Sequence, residues 1–202
     1  MPRQGMEPKR RAALVSAVID EIGDAGSLDV TVSQIAKRAG MSSALAHHYF
    51  GSKDQMLIAA MRHILSVFSR RVAANQRKAK TPYARLCAVI AANFETHVFD
   101  RRKTSAWLSF YALSQSNQEA MRLMQLYQRR LRSNLLHDLR RLCDDAEQIE
   151  PVISALIDGV YLRAALLRGA PDPDAAQRVM AAADALLGQP TATQSIIPPS
   201  LQ

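Results

Sequence analysis

The chain reads as an all-α protein: a small N-terminal three-helix head carrying a helix-turn-helix, then a helical-bundle regulatory domain, about nine helices together. Three observations lead there. Apolar residues recur at three- and four-residue spacing through most of the 202 residues, and no stretch alternates apolar with polar residues as a half-buried strand does. Capping residues and glycine stops punctuate that pattern. The composition, 48% hydrophobic with only 5% aromatic, suits cores built from Ala and Leu, and a chain of this length can bury one large core or two small ones.

The first helix is expected over about Lys9 to Ala25, where Leu14, Ala17, Val18, Ile22 and Ala25 share a face and Gly26 ends it. The second starts at Val32. Thr31 is placed to accept from the backbone N–H three residues on, Gln34 to reach back to the Thr31 N–H, and Val30 to pack on Ile35 as a hydrophobic staple. Ile35, Ala36 and Ala39 make its apolar face, and Gly40 supplies the left-handed residue that stops it without a Cβ penalty. Ser42 caps a third helix of barely two turns, Ser43 to Tyr49. Ser52 and Gln55 repeat the capping box and launch a fourth helix at Lys53. Small residues at Ala36, Gly40 and Ala44 let two helices cross closely.

Two short capped helices around a tight glycine turn are the sequence form of a helix-turn-helix, which presents its second helix to the major groove of DNA. Here that helix shows Ser43, Ala44, His47 and His48 where a core helix would show Leu or Ile. With the caps and the start of the next helix, the candidate contacts to phosphates and base edges are Thr31, Ser42, Ser43, Ala44, His47, His48 and Lys53.

The fourth helix carries Met56, Leu57, Ala60, Ile64, Leu65 and Phe68 towards about Ala74, long enough to link two parts of the molecule. A basic, Pro-containing stretch, Gln76 to Pro82, precedes a helix of about Tyr83 to Val98. Further helices are expected at Arg102 to Leu113, Gln118 to about Leu142, Pro151 to Arg168, and Pro173 to Leu187, the last capped by Asp172 with Pro173 at its first position. Residues 1–55 are expected to form the DNA-binding head and 56–188 a second helical domain, which the family resemblance described below implies is for ligand binding and dimerisation. The tail, 189–202, dominated by Pro, Thr, Ser and Gln, is expected to be disordered. Apolar residues circle the eighth helix, so it must be covered on several sides. It can meet a two-fold mate with the ninth helix as a four-helix bundle, or serve as the central helix of a monomer.

The net charge of +8 is not concentrated in the head. Residues 1–55 hold seven Lys and Arg against six Asp and Glu, residues 56–142 sixteen against four, and residues 143–202 three against eight. DNA binding is favoured by placement: Arg3, Lys9, Arg10 and Arg11 precede or open the first helix, Lys37 and Arg38 end the second, and Lys53 opens the fourth. The start MPRQGMEPKRR has no apolar signal region and no apolar run suits a bilayer, so a cytoplasmic protein with no membrane association is expected. Cys87 and Cys143 lack metal-ligand spacing and read as buried free thiols. None of the six glutamates has a histidine three residues later, as a di-iron bundle requires, and no phosphate loop, nucleophile elbow or Cys/His cluster occurs. Neither catalysis nor a cofactor or metal is expected.

The order of parts resembles the TetR family of transcriptional repressors. The resemblance rests on Thr31, Ile35, Ala36, Ala39, Gly40, Ser42, His48, Tyr49, Phe50, Lys53 and Leu57 in the head. His47 and Ala44 depart from it, since the family commonly has an aromatic residue and a Gly there. The segments KTSAWLSFYA, YQRRLRSNLLHDLRR and ALIDGVYLRAALL look like the branch that controls conversion of choline to glycine betaine. The resemblance implies a homodimer through the last two helices, a palindromic operator in double-stranded DNA, and choline as the releasing effector. Trp107, Phe110 and Tyr111 at i, i+3 and i+4 share a helix face, and Asp158 and Tyr161 lie at i and i+3 on the eighth helix. A quaternary ammonium has no N–H to donate, so a protein holds it by aromatic faces and a carboxylate. Phe94, Trp107, Tyr111, Asp158 and Tyr161 are therefore the candidate ligand residues. Asp158 can equally be paired with an arginine such as Arg132 or Arg163. Another cationic or hydrophobic effector, or constitutive DNA binding, are the alternatives.

Overall fold

The computed structural model describes residues 6–95, 99–167 and 172–188, and among them every regular element is a helix. The order is α1 (Met6–Ala25), α2 (Val32–Arg38), α3 (Ser43–Phe50), α4 (Lys53–Lys78), α5 (Pro82–Asn93), α6 (Arg101–Ser116), α7 (Gln118–Leu139), α8 (Ala146–Leu167) and α9 (Ala175–Leu186). No helix among these residues is long and apolar enough to cross a membrane.

The head forms as its caps dictate. Thr31 Oγ1 accepts from the Gln34 N–H at 3.2 Å while the Thr31 N–H donates to Gln34 Oε1 at 2.7 Å, so two otherwise orphaned donors are satisfied reciprocally. The stop is a Schellman turn: the Gly40 N–H donates to Lys37 and the Met41 N–H to Ala36, with Gly40 at φ 66°. Ser42 and Ser52 each accept from the N–H three residues on, at 3.2 Å. The second box stays open: the Ser52 N–H donates to the Phe50 carbonyl at 2.9 Å rather than to Gln55, whose Nε2 donates to Glu119 of α7. Val30, Ile35, Ala36, Ala46, Met56 and Leu57 are buried in a core that continues through α4 into the larger domain.

Beyond the head the boundaries shift for local reasons. α4 runs to Lys78, one turn past the expected end. α5 begins at Pro82, because Thr81 caps it through the Ala84 N–H and proline at the first position needs no N–H partner. It stops at Asn93, so Phe94 is its C-cap rather than a helical residue. Val98 lies outside the described residues. α8 begins at Ala146 and takes Pro151 inside its second turn, where the missing N–H costs one hydrogen bond but the fixed φ is already helical. α9 starts at Ala175, not Pro173. Asp172 accepts from the Asp174 N–H in the preceding turn, and Asp174 takes the cap position without a side-chain cap bond. The expected tail falls outside the described residues. The two cysteines are free and half-buried rather than fully buried.

α8 buries Ile149, Ile153 and Ile157 within the chain and leaves Val152, Leu156, Leu162 and Leu166 exposed, Leu166 by 64%. Leu186 of α9 is exposed as well. One chain thus covers only one side of the helix that its sequence makes apolar all round.

Candidate DNA interface and effector site

In α3 the buried residue is Ala46, against the head core, while Ala44, His47 and His48 are exposed and Ser43 is half-buried. Thr31 and Ser42 are exposed at the two caps, and Lys53 is half-buried at the first position of α4. The seven candidate DNA residues therefore lie along α3 and at the starts of its neighbours. His47 Nδ1 lies 3.0 Å from the Gly51 carbonyl, a contact that requires the proton on Nδ1 and leaves Nε2 as an acceptor in the neutral ring. Arg11, missed as a brace by the sequence reading, stacks its guanidinium over Phe50 and Tyr49, at 5.1 and 5.9 Å from the ring centroids. Arg10 donates to the Tyr49 hydroxyl at 3.4 Å. These contacts tie α1 to the C-terminal end of α3.

In the larger domain the structure brings Trp107, Tyr111, Asp158, Tyr161 and Phe94 together from three places in the chain. Tyr111 Oη donates to Asp158 Oδ1 at 2.9 Å, so the carboxylate's partner is a phenol of α6. Arg132 is paired with Glu150 instead, at 3.4 Å, and Arg163 is exposed. Trp107 stands edge-to-face with Tyr111 at 5.8 Å and Tyr127 at 4.9 Å, and lies 6.5 Å from Tyr161. Phe94 and Phe99 close the far side, 5.9 and 5.0 Å from Tyr161. The Tyr161 hydroxyl donates to the backbone carbonyl of Asn93, which fixes both that ring and the end of α5.

Two members of this group lie outside the candidate set. Tyr127 of α7 is buried between Trp107 and Phe68 of α4, 5.8 Å from the latter. Phe99 lies outside the helices, where helical spacing gives no clue to its partners. Phe110, on the same stripe as Trp107 in the sequence, is fully buried in the core and plays no part.

The electrostatics follow from burial. Desolvation raises the Asp158 carboxyl above the ordinary carboxylate range, and the Tyr111 hydrogen bond offsets part of that rise. Desolvation first, and then the nearby Asp158 carboxylate, push the Tyr111 and Tyr127 hydroxyls up, so both stay protonated as donors. Among the described residues no ion pair to Asp158 occurs, and its hydrogen-bond partner is the neutral Tyr111 phenol. A carboxylate beside aromatic rings is chemistry able to receive a cation that has no N–H groups.

Comparison with known proteins places the chain in a family. A family model described as bacterial regulatory proteins, tetR family, matches residues 14–60, and one described as BetI-type transcriptional repressor, C-terminal, matches residues 82–188. The chain belongs to the TetR family. It is a ligand-responsive transcriptional repressor with a BetI-type C-terminal domain, not an enzyme. The HTH-type transcriptional regulator BetI of Brucella melitensis is 46% identical over 198 residues, covering 95% of this chain and 99% of that protein. BetI of Rhizobium meliloti is 50% identical over 168 residues, covering 82% and 83%. Among solved structures, a putative transcriptional regulator from Pseudomonas aeruginosa PAO1 superposes with a TM-score of 0.75 at 25% identity, over 90% of this chain and 91% of that one. A putative transcriptional regulator from Saccharomonospora viridis, solved in complex with choline, gives 0.76 at 22% identity, over 90% and 96%, which shows a shared fold.

Proposed function

We propose that this TetR-family repressor binds a palindromic operator as a homodimer and releases it when choline enters the aromatic cluster around Asp158. The observation that carries the effector is the half-buried Asp158 carboxylate, bonded to Tyr111, whose ring packs on Trp107, with Trp107 in turn against Tyr127 and Tyr161. A trimethylammonium group offers no hydrogen bond, and each desolvated aromatic contact with it is worth roughly 1 to 2 kcal/mol. The BetI relatives and the choline-bound neighbour of the same fold support the choice of choline among cations.

The exposed row Val152, Leu156, Leu162 and Leu166 on α8, continued by Leu186 on α9, supports the dimer. A two-fold mate would cover that row and set the distance between two heads. Heads reading half-sites in successive major grooves need a spacing of about 34 to 36 Å. Choline then acts by differential affinity: it binds better to the conformation whose head spacing is wrong for the operator, and so draws the population there. In each head the seven exposed or half-buried residues along α3 and its flanks contact the operator, with Lys53 on a phosphate and Ser43 and Ala44 at base edges.

The test is calorimetric titration of choline, betaine aldehyde and glycine betaine into the purified protein, with fluorescence anisotropy on an operator selected from a random-sequence library. Choline should bind and weaken operator affinity. Operator affinity unmoved by saturating choline would overturn the effector assignment.

A further inference from the structure

Two of the places where the head meets the regulatory domain bear on the coupling between them. One is α4, which runs unbroken from Lys53 to Lys78. The other is the crossing of α1 and α6, and there the backbones touch: a Cβ placed on Gly23 would lie 2.6 Å from both Cβ and the carbonyl oxygen of Arg102. A line of charge runs around that contact. Arg102 Nε donates to Asp24 Oδ1 at 2.6 Å, and its Nη1 lies 3.9 Å from Asp20. The other oxygen of Asp24 accepts from Arg38 Nη2 at 2.9 Å, and Arg38 Nε donates to Glu21 at 2.5 Å. Desolvation pushes the Asp24 carboxyl up, but the hydrogen bonds from Arg102 and Arg38 outweigh it and hold the group below its ordinary value. One carboxylate of α1 is thus shared between an arginine of α6 and the last residue of α2, the first helix of the helix-turn-helix.

α6 also carries Trp107 and Tyr111. At 1.5 Å per residue they lie roughly 8 and 14 Å along the same helix from Arg102. A helix transmits displacement along its axis, so a shift of α6 at the aromatic cluster reaches Asp24. We infer that Arg102, Asp24 and Arg38 are positioning residues of a second, ionic route from effector site to operator, running α6 to α1 to α2, whose strength is set by ionic strength. This rests on the proposed choline response. The side chains are 29 to 51% exposed, so salt screens them. The Debye length falls from about 10 Å at 0.1 M to about 3 Å at 1 M. The Gly23 contact is steric and does not respond.

Operator binding is itself salt-dependent through counterion release. The ratio of operator Kd with and without choline removes that contribution, because both arms engage the same phosphates. By linkage it equals the ratio of choline affinities without and with operator. The experiment measures this ratio for the parent, Arg102→Ala, Asp24→Asn and Arg102→Lys between about 0.05 and 0.5 M salt, with sodium chloride balancing the choline chloride. The parent ratio should fall several-fold over that range. Arg102→Ala and Asp24→Asn should show a ratio at least about five-fold smaller at low salt and flat with salt. Choline Kd of the free protein and operator Kd without choline should stay within about two-fold of the parent. Arg102→Lys should restore part of the ratio. A merely structural role would move the two dissociation constants rather than their coupling. A parent ratio independent of salt, or Arg102→Ala responding like the parent, overturns the route. Should the parent show no choline response, the choline reading fails, and the route is decided by hydrogen exchange. Operator binding must then slow exchange across residues 101–111 in the parent and not in Arg102→Ala; unchanged exchange in the parent overturns it.

Discussion

Replacing Asp158 by Asn separates the two things a buried carboxylate can do. Opposite unit charges 4 Å apart attract by about 4 kcal/mol at an effective dielectric of about 20. Asp158 is half-buried, and solvent on the open side leaves about half of that, on the order of 2 kcal/mol, or roughly thirty-fold in Kd. Asn keeps an oxygen to accept the Tyr111 hydroxyl, so the shape and the 2.9 Å bond are retained while the charge is lost. Stability should move the other way. Burial raises the carboxyl's pKa in the folded state, so the ionised form weakens the fold at pH values above that pKa. Asp158→Asn removes the penalty, and the effector-free Tm should be equal to the parent's or higher. The same shift gives choline affinity a pH dependence. Affinity should be low where Asp158 is protonated and should rise as pH increases through its raised pKa, with the Asn variant flat. Calorimetry at several pH values and a thermal melt read all three. A variant with lowered Tm and parental choline affinity would show that Asp158 is a structural hydrogen-bond partner and that the cation is held elsewhere.

Three further outcomes are expected. Lys53→Ala should weaken binding to all DNA sequences and reduce the slope of log K against log salt by about one phosphate's worth, measured by anisotropy. Leu156→Arg places a charge in the apolar row of α8, and sedimentation should show monomer with operator binding lost; a parent that sediments as a monomer at micromolar concentration defeats the dimer. Trp107 is only 7% exposed, so Trp107→Ala would cost about 3 to 5 kcal/mol of stability in its own right. Trp107→Leu retains more of the buried volume and should weaken choline binding by about ten-fold with operator affinity nearly intact; parental choline affinity would place the ligand on the far side, nearer Phe94 and Phe99.

The head was legible in the sequence because its determinants are local. Thr31 with Gln34, Gly40, Ser42 and Ser52 act within four residues of their own positions, and each sits in the structure as its spacing implies. Ser52 marks the limit: its N–H is taken by the Phe50 carbonyl, and Gln55 reaches Glu119, sixty-four residues on, which no local pattern records. In the regulatory domain helical spacing gives the aromatics on α6 and Tyr161 on α8, while the candidate set leaves out Tyr127 and Phe99. Tyr127 is one apolar residue of many on α7, and Phe99 lies outside the helices. Asp158 needs a partner, and besides the cationic effector the sequence offers only arginines as candidates, Arg132 and Arg163. A tyrosine that donates to a carboxylate carries no charge signal. Arg102 is one of sixteen basic residues between positions 56 and 142, and only the α1 crossing over Gly23 shows what it meets.

The chain contains one tryptophan, and the fold has set it in the middle of the proposed effector cluster. Its indole is within 6.5 Å of three of the five tyrosines, close enough for their excitation to be passed to it. The protein therefore brings its own optical reporter. Excited at wavelengths that tyrosine does not absorb, the unlabelled chain emits from a single known position, on the helix that also touches the head. Occupancy of the cluster and arrival of operator DNA can both be followed in the same cuvette, in real time, with no dye attached.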